Sequence, residues 1–149
     1  MSTDEAVTKD LIQTLEDGKE GFAKGAEKLD GTDAPELATT FRKFSDQRAG
    51  FAAELHELAK EYGDTIKESG SVAGTLHRGW LSLKDALAGS DPSGVLDAAE
   101  KGEDHAVKEY DKALAGDVSP TLRTVIERQA AAVKAAHDEV RSLRDARSK

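Results

Sequence analysis

Residues 69–87 read SGSVAGTLHRGWLSLKDAL, and the role of this stretch decides how the rest of the chain is assembled. Val72, Leu76, Trp80, Leu83 and Leu87 recur at intervals of three and four, the spacing that lines side chains up on one helical stripe. A linker has no such stripe. The stretch is therefore expected to form a short amphipathic helix with a packing duty, set between two helical hairpins.

The first hairpin is read over residues 4–63. Ser2 or Thr3 can cap its first helix, Asp4 and Glu5 suit the positive end of the helix dipole, and Val7, Leu11, Leu15, Phe22 and Leu29 mark one face. The run Asp30-Gly-Thr-Asp-Ala-Pro35 interrupts it. A second helix follows with Leu37, Phe41, Phe44, Phe51, Leu55, Leu58 and Tyr62 on its face, up to Gly63. So short a connection makes the two helices antiparallel neighbours. The second hairpin, residues 92–146, repeats the plan. Asp91-Pro92 and Ser119-Pro120 are cap-and-proline signals, Gly116 ends the third long helix, and the seams run through Val95, Ala99, Ala106, Tyr110 and Ala113 or Leu114, then Leu122, Val125, Gln129, Val133, Ala136, Val140 and Leu143. Residues 64–91 are left as the crossover. The short helix expected within it covers roughly 25 Å at 1.5 Å per residue, most of the height of such a bundle.

Sliding the chain along itself so that Glu16 falls on Glu100 also sets Gly18 on Gly102, Lys24 on Lys108 and Lys28 on Lys112. Charged helices look alike in general. The coincident glycines carry more weight, because glycine inside a helix costs ~1 kcal/mol relative to alanine and should have a reason. Close helix approach is the expected one.

Composition agrees with this plan and removes several function classes. With 149 residues, 5% aromatic and 34% charged, the chain suits one all-α domain of long solvated helices better than a sheet protein. The formal net charge of −8 disfavours nucleic acid and anionic membrane surfaces. Cysteine is absent, which excludes disulfides, thiolate metal sites and cysteine catalysis. There is no apolar run of membrane-spanning length and the acidic start is unlike a signal peptide, so a cytoplasmic location is the default expectation.

The segment SGSVAGTLHRGW (69–80), with LEDGKEGF (15–22), DQRAGFAAEL (46–55) and HDEVRSLRD (137–145), resembles a bacterial family of conserved hypothetical four-helix-bundle proteins, a domain of unknown function in the ferritin-like superfamily. The resemblance covers nearly the whole chain. It implies a ferritin-like bundle of two hairpins joined by one long crossover, and brings no substrate, cofactor or catalytic residue with it.

Ferritin-like di-iron sites draw a Glu from each of two helices and a Glu-x-x-His from each of the other two. Here the four histidines, His56, His77, His105 and His137, are preceded three positions earlier by Ala53, Gly74, Gly102 and Lys134. No such motif exists. A relaxed iron or manganese site could still be drawn from Glu16, Glu54, Glu100, Glu103 and His137. The plainer expectation places Glu16, Glu54 and Glu100 on the solvated flanks of their helices and His137 near a helix end, where the dipole suits it.

Four polar residues fall on or near the apolar stripes instead: Lys19, Arg48, Glu103 and Gln129. Each lies near the middle of its helix, which predicts a central polar layer. Arg48 stands one turn from both Phe44 and Phe51, so it must find acceptors, and Glu103 is the expected partner with Gln129 beside it. Lys19 has a side chain long enough to snorkel outward. The layer either takes the place of a metal centre or simply fixes helix register. No Gly-x-Ser-x-Gly elbow or phosphate loop is present, Trp80 reads as core, and Leu81, opposite its stripe, could mark a homo-oligomer contact if it joins a larger patch. The expected function is that of a non-enzymatic structural or interaction module without cofactor, the alternative a metal-binding ferritin-like protein.

Overall fold

The computed structural model describes residues 3–32, 34–61, 78–80, 82–89 and 91–147. They form five α-helices, α1 (Thr3–Asp30), α2 (Pro35–Glu61), α3 (Leu83–Ala88), α4 (Pro92–Ala115) and α5 (Pro120–Arg147), with a 3-10 turn at Arg78–Trp80 and no strand among the described residues. Local chemistry sets the ends. Asp4 and Glu5 occupy the first turn of α1 and Lys28 its last, complementing the dipole at both ends. After α1, Thr32 Oγ1 donates to Leu29 O at 2.7 Å and accepts from Ala34 N at 3.2 Å, turning the chain before Pro35 opens α2. At α4 the Asp91 side chain accepts from Ser93 N at 2.9 Å with Pro92 in the first turn. Ser119 Oγ accepts from Leu122 N at 3.3 Å ahead of α5.

The four long helices pack as two hairpins side by side. Ser45 Oγ of α2 donates to Lys19 O of α1 at 2.9 Å. At the other end of the first helix, Asp4 Oδ1 accepts from Ser119 N at 2.9 Å, while Gly25, near the end of α1, faces Phe41 and Val95. The start of α1 thus meets the end of α4, so α1 runs antiparallel to α4 as well as to α2. Between α2 and α5, Arg128 pairs with Glu54 and Gln129 Nε2 reaches Phe51 O at 3.3 Å. Both being antiparallel to α1, α2 and α4 run in the same direction, and the start of α4 lies at the opposite end of the bundle from the end of α2.

The crossover differs from expectation in form. Within its described part the backbone is a 3-10 turn followed by the six-residue α3, not one continuous helix. Gly79 supplies the reason: a Cβ there would lie 2.6 Å from His105 Cβ and 3.2 Å from Gly102 Cα, so the turn is pressed directly onto α4 with its ring inserted. Trp80 and Leu83 are buried and Leu87 is half-buried. Val72, Leu76, His77 and Leu81 lie outside the described residues.

The buried apolar side chains form two clusters. One holds Phe22, Phe41, Phe44, Trp80, Leu83, Val95, Leu96 and Val140, the other Leu11, Leu15, Leu55, Tyr110, Leu122, Ile126 and Val133. Phe22 is the hub of the first, edge-on to Phe41 at 5.2 Å and to Trp80 at 4.9 Å. The two coincident glycines face side chains of large residues. Gly18 faces the Arg48 side chain, and Gly21 and Gly102 face the Trp80 ring, for which these last two make room.

Gly50 is the exception, exposed in the middle of α2 with nothing within 4 Å of a Cβ built on it. Gly50→Ala is therefore expected to stabilise the protein by about 0.5–1 kcal/mol, read as a higher urea midpoint with an unchanged slope. A lower midpoint would contradict the open surroundings of this glycine.

Candidate functional site

Where the two apolar clusters part, α2 and α4 contribute a charged pair. Arg48 is 1% exposed and Glu103 0%. Their contact is bidentate, Nη1 to Oε1 at 2.5 Å and Nη2 to Oε2 at 2.7 Å, the geometry in which the planar guanidinium matches a carboxylate best. Arg48 Nε donates to Gln47 Oε1 at 3.2 Å, and the guanidinium lies over the Phe22 ring at 5.3 Å. On α1, Gly18 lines the Arg48 side chain, a Cβ there lying 3.4 Å from Nη1, at van der Waals contact.

Gln129 is fully buried as well, but belongs to a separate network nearer the end of α4. Tyr110 Oη donates to Gln129 Oε1 at 2.7 Å, and Gln129 Nε2 donates to Glu54 Oε1 at 2.8 Å. The other carboxylate oxygen of Glu54 meets Arg128. The displacement follows from helix geometry: antiparallel packing aligns Gln129 with Tyr110, two turns along α4 from Glu103. Lys19 does not enter the interior. Its side chain is 39% exposed and pairs with Glu16 at 2.8 Å, because four methylenes carry the ammonium to water and the carboxylate one turn earlier holds it there.

Burial is the main cause that pushes the Tyr110 phenol above its ordinary range, with Arg48 opposing and Glu54 and Glu103 adding to it. A folded-state pKa above the unfolded value makes a contribution that is complete below the ordinary phenol range near ~10 and is lost as pH rises through the folded value. Wild-type stability should accordingly fall above pH ~10 more steeply than that of Tyr110→Phe, followed by urea unfolding at several alkaline pH values. Parallel pH profiles would refute a buried phenol.

The five residues considered as metal ligands are dispersed. Glu16 is taken by Lys19, Glu54 by Arg128 and Gln129, Glu100 by Arg144, and Glu103 by Arg48. His137 is 7% exposed, its Nε2 2.5 Å from Asp104 and its Nδ1 3.1 Å from Asp138. That contact to His137 is the main cause holding the exposed Asp138 carboxyl below its usual value. Among the described residues no three His, Cys, Asp or Glu side chains are grouped to hold a metal ion. The physical reason is that each carboxylate already faces a cation or amide on a neighbouring helix or turn.

Two participants are silent in the sequence. Tyr110 reads as one more apolar seam position, although a tyrosine on a stripe needs a partner for its hydroxyl, and Gln129 is the seam residue able to provide it. Gly21 has no signal beyond being a glycine inside a helix.

The features together define a class: an all-α protein of antiparallel helical hairpins with a saturated ion pair at mid-height. The chain belongs to the family described as Domain of unknown function (DUF2383), whose model matches residues 5–116. The matched segment contains Arg48, Trp80, Glu103 and the glycines around them, and ends before α5. No curated protein matches the chain. No helix among the described residues is long and apolar enough to cross a membrane.

Proposed function

We propose that the protein is a ferritin-like helical bundle acting as a non-enzymatic structural or interaction module, in which Arg48 and Glu103 stand where other bundles of this class place metal ions. The observation that carries this reading is the bidentate contact between two side chains that are 1% and 0% exposed. Both oxygens of this buried carboxylate are engaged by a cation that a metal ion would have to displace, and a guanidinium so engaged is no acid or base. Antiparallel packing of α1 against both α2 and α4, which makes α2 and α4 parallel, supports the ferritin-like arrangement. The acidic charge of −8 suits a bacterial cytoplasm and protein partners, including further copies of this chain, more than nucleic acid or anionic membrane.

Elemental analysis of protein purified from iron- and manganese-supplemented culture tests the reading. Metal well below one equivalent, unchanged in Glu103→Gln, is the expected result. Stoichiometric metal that Glu103→Gln removes would overturn it.

A further inference from the structure

Trp80, the single tryptophan of the chain, occupies a slot whose walls are bare backbone. A Cβ on Gly21 of α1 would come within 2.3 Å of Trp80 Cδ2, and one on Gly102 of α4 within 2.2 Å of Trp80 Cε2. No residue larger than glycine fits either wall while the ring is in place. The inner end is closed by Phe22, edge-on to the indole at 4.9 Å, and the Phe22 ring carries the Arg48 guanidinium at 5.3 Å. Only the Phe22 ring thus stands between the indole and the guanidinium of the buried ion pair.

The plug is held less firmly than the walls. Among residues 79–80 and 82–89, Leu83 is the other buried anchor, Gly79, Ser82, Ala86 and Leu87 are half-buried, and Lys84, Asp85, Ala88 and Gly89 are exposed. Ser82 precedes α3 without a side-chain capping bond and its Oγ is buried without a hydrogen-bond partner. A six-residue helix has no stability of its own. The walls belong to helices of 28 and 24 residues, anchored by many buried apolar side chains along their length. Elements with few buried anchors open at a lower free energy than the core they rest on.

We propose that the cleft between Gly21 and Gly102 is a preformed receptor for a flat aromatic ring of indole size, filled in cis by Trp80, and that the turn at 78–80 and the short helix region 82–89 form a latch that opens without global unfolding. Release of the latch uncovers the slot and, at its inner end, the Phe22 ring. Tethering gives the resident ring an effective concentration on the order of millimolar. A free ring ligand therefore competes poorly until the latch is released.

Trp80→Ala empties the slot, and indole is the probe. Saturable indole binding by calorimetry, with a thermal midpoint that rises as indole is added, is expected for Trp80→Ala. Both effects should vanish when Gly102→Val is added to fill the slot. A folded Trp80→Ala protein that binds no indole, or binds it equally well with Gly102→Val present, would overturn the proposal. If Trp80→Ala does not fold, native-state hydrogen exchange of the wild-type protein decides. The amides of Leu83–Ala88 should then exchange at denaturant concentrations that leave the α1 and α4 core amides protected. Exchange of both sets only together, with global unfolding, would refute the latch.

Discussion

Arg48→Ala is expected to destabilise the protein by about 3–5 kcal/mol. The loss arises less from the missing attraction than from what remains. Glu103 is 0% exposed and would be left as an unpaired carboxylate between two apolar clusters, with the cavity of a deleted arginine beside it. The combined change Arg48→Met with Glu103→Leu removes both charges, keeps most of the volume, and should recover most of the loss. Urea unfolding of the wild-type, single and double variants measures this. Equal and small effects for the single and double variants would mean that the pair is hydrated and the account of the waist wrong.

The second large effect is expected for Trp80→Ala, about 3–5 kcal/mol, as for other deletions of a buried aromatic side chain. The ring is 2% exposed and reaches Phe22 at 4.9 Å. Gly102→Ala is the complementary test. Alanine is the better helix former by ~1 kcal/mol, so a helix-only view forecasts a gain. The added Cβ would lie 2.2 Å from the indole, and displacement of the ring should reverse the sign. Set against the gain expected for Gly50→Ala, a loss at Gly102 separates the slot from ordinary helix propensity. A gain at both positions would remove the slot from the description.

Helical periodicity, proline and cap signals made the elements legible, because long amphipathic helices state their buried face every third or fourth residue. Residues such as Leu11, Phe41, Val95 and Leu122 are both on the stripes and in the core. Arg48 and Glu103 could be singled out because a charge on an apolar stripe has few satisfactory environments. What periodicity does not encode is which height on one helix faces which on the next. Gln129 therefore meets Tyr110 and Glu54 instead of Glu103. Nor does it encode where a long side chain ends, and Lys19 leaves the interior for Glu16. The glycines carried a signal of close approach without naming the group that approaches. That group is a tryptophan from a different part of the chain.

The bidentate contact between α2 and α4 has a consequence for assembly. It joins the first hairpin to the second, and the neighbours of Arg48 one turn away along α2 are Phe44 and Phe51. If the hairpins docked with a slip of one turn, ~5.4 Å along the axis, an aromatic ring would replace the guanidinium opposite Glu103 and both charges would be dry and unmatched. Apolar stripes alone tolerate such a slip, since leucine and alanine seams are interchangeable over short shifts. The ion pair does not, so it is expected to act as a proofreading contact that leaves misregistered halves free to separate and try again. Loss of that check predicts that the Arg48→Met, Glu103→Leu variant refolds with additional slow phases in stopped-flow fluorescence, whatever its final stability. A single phase matching the wild type would show that register is set elsewhere.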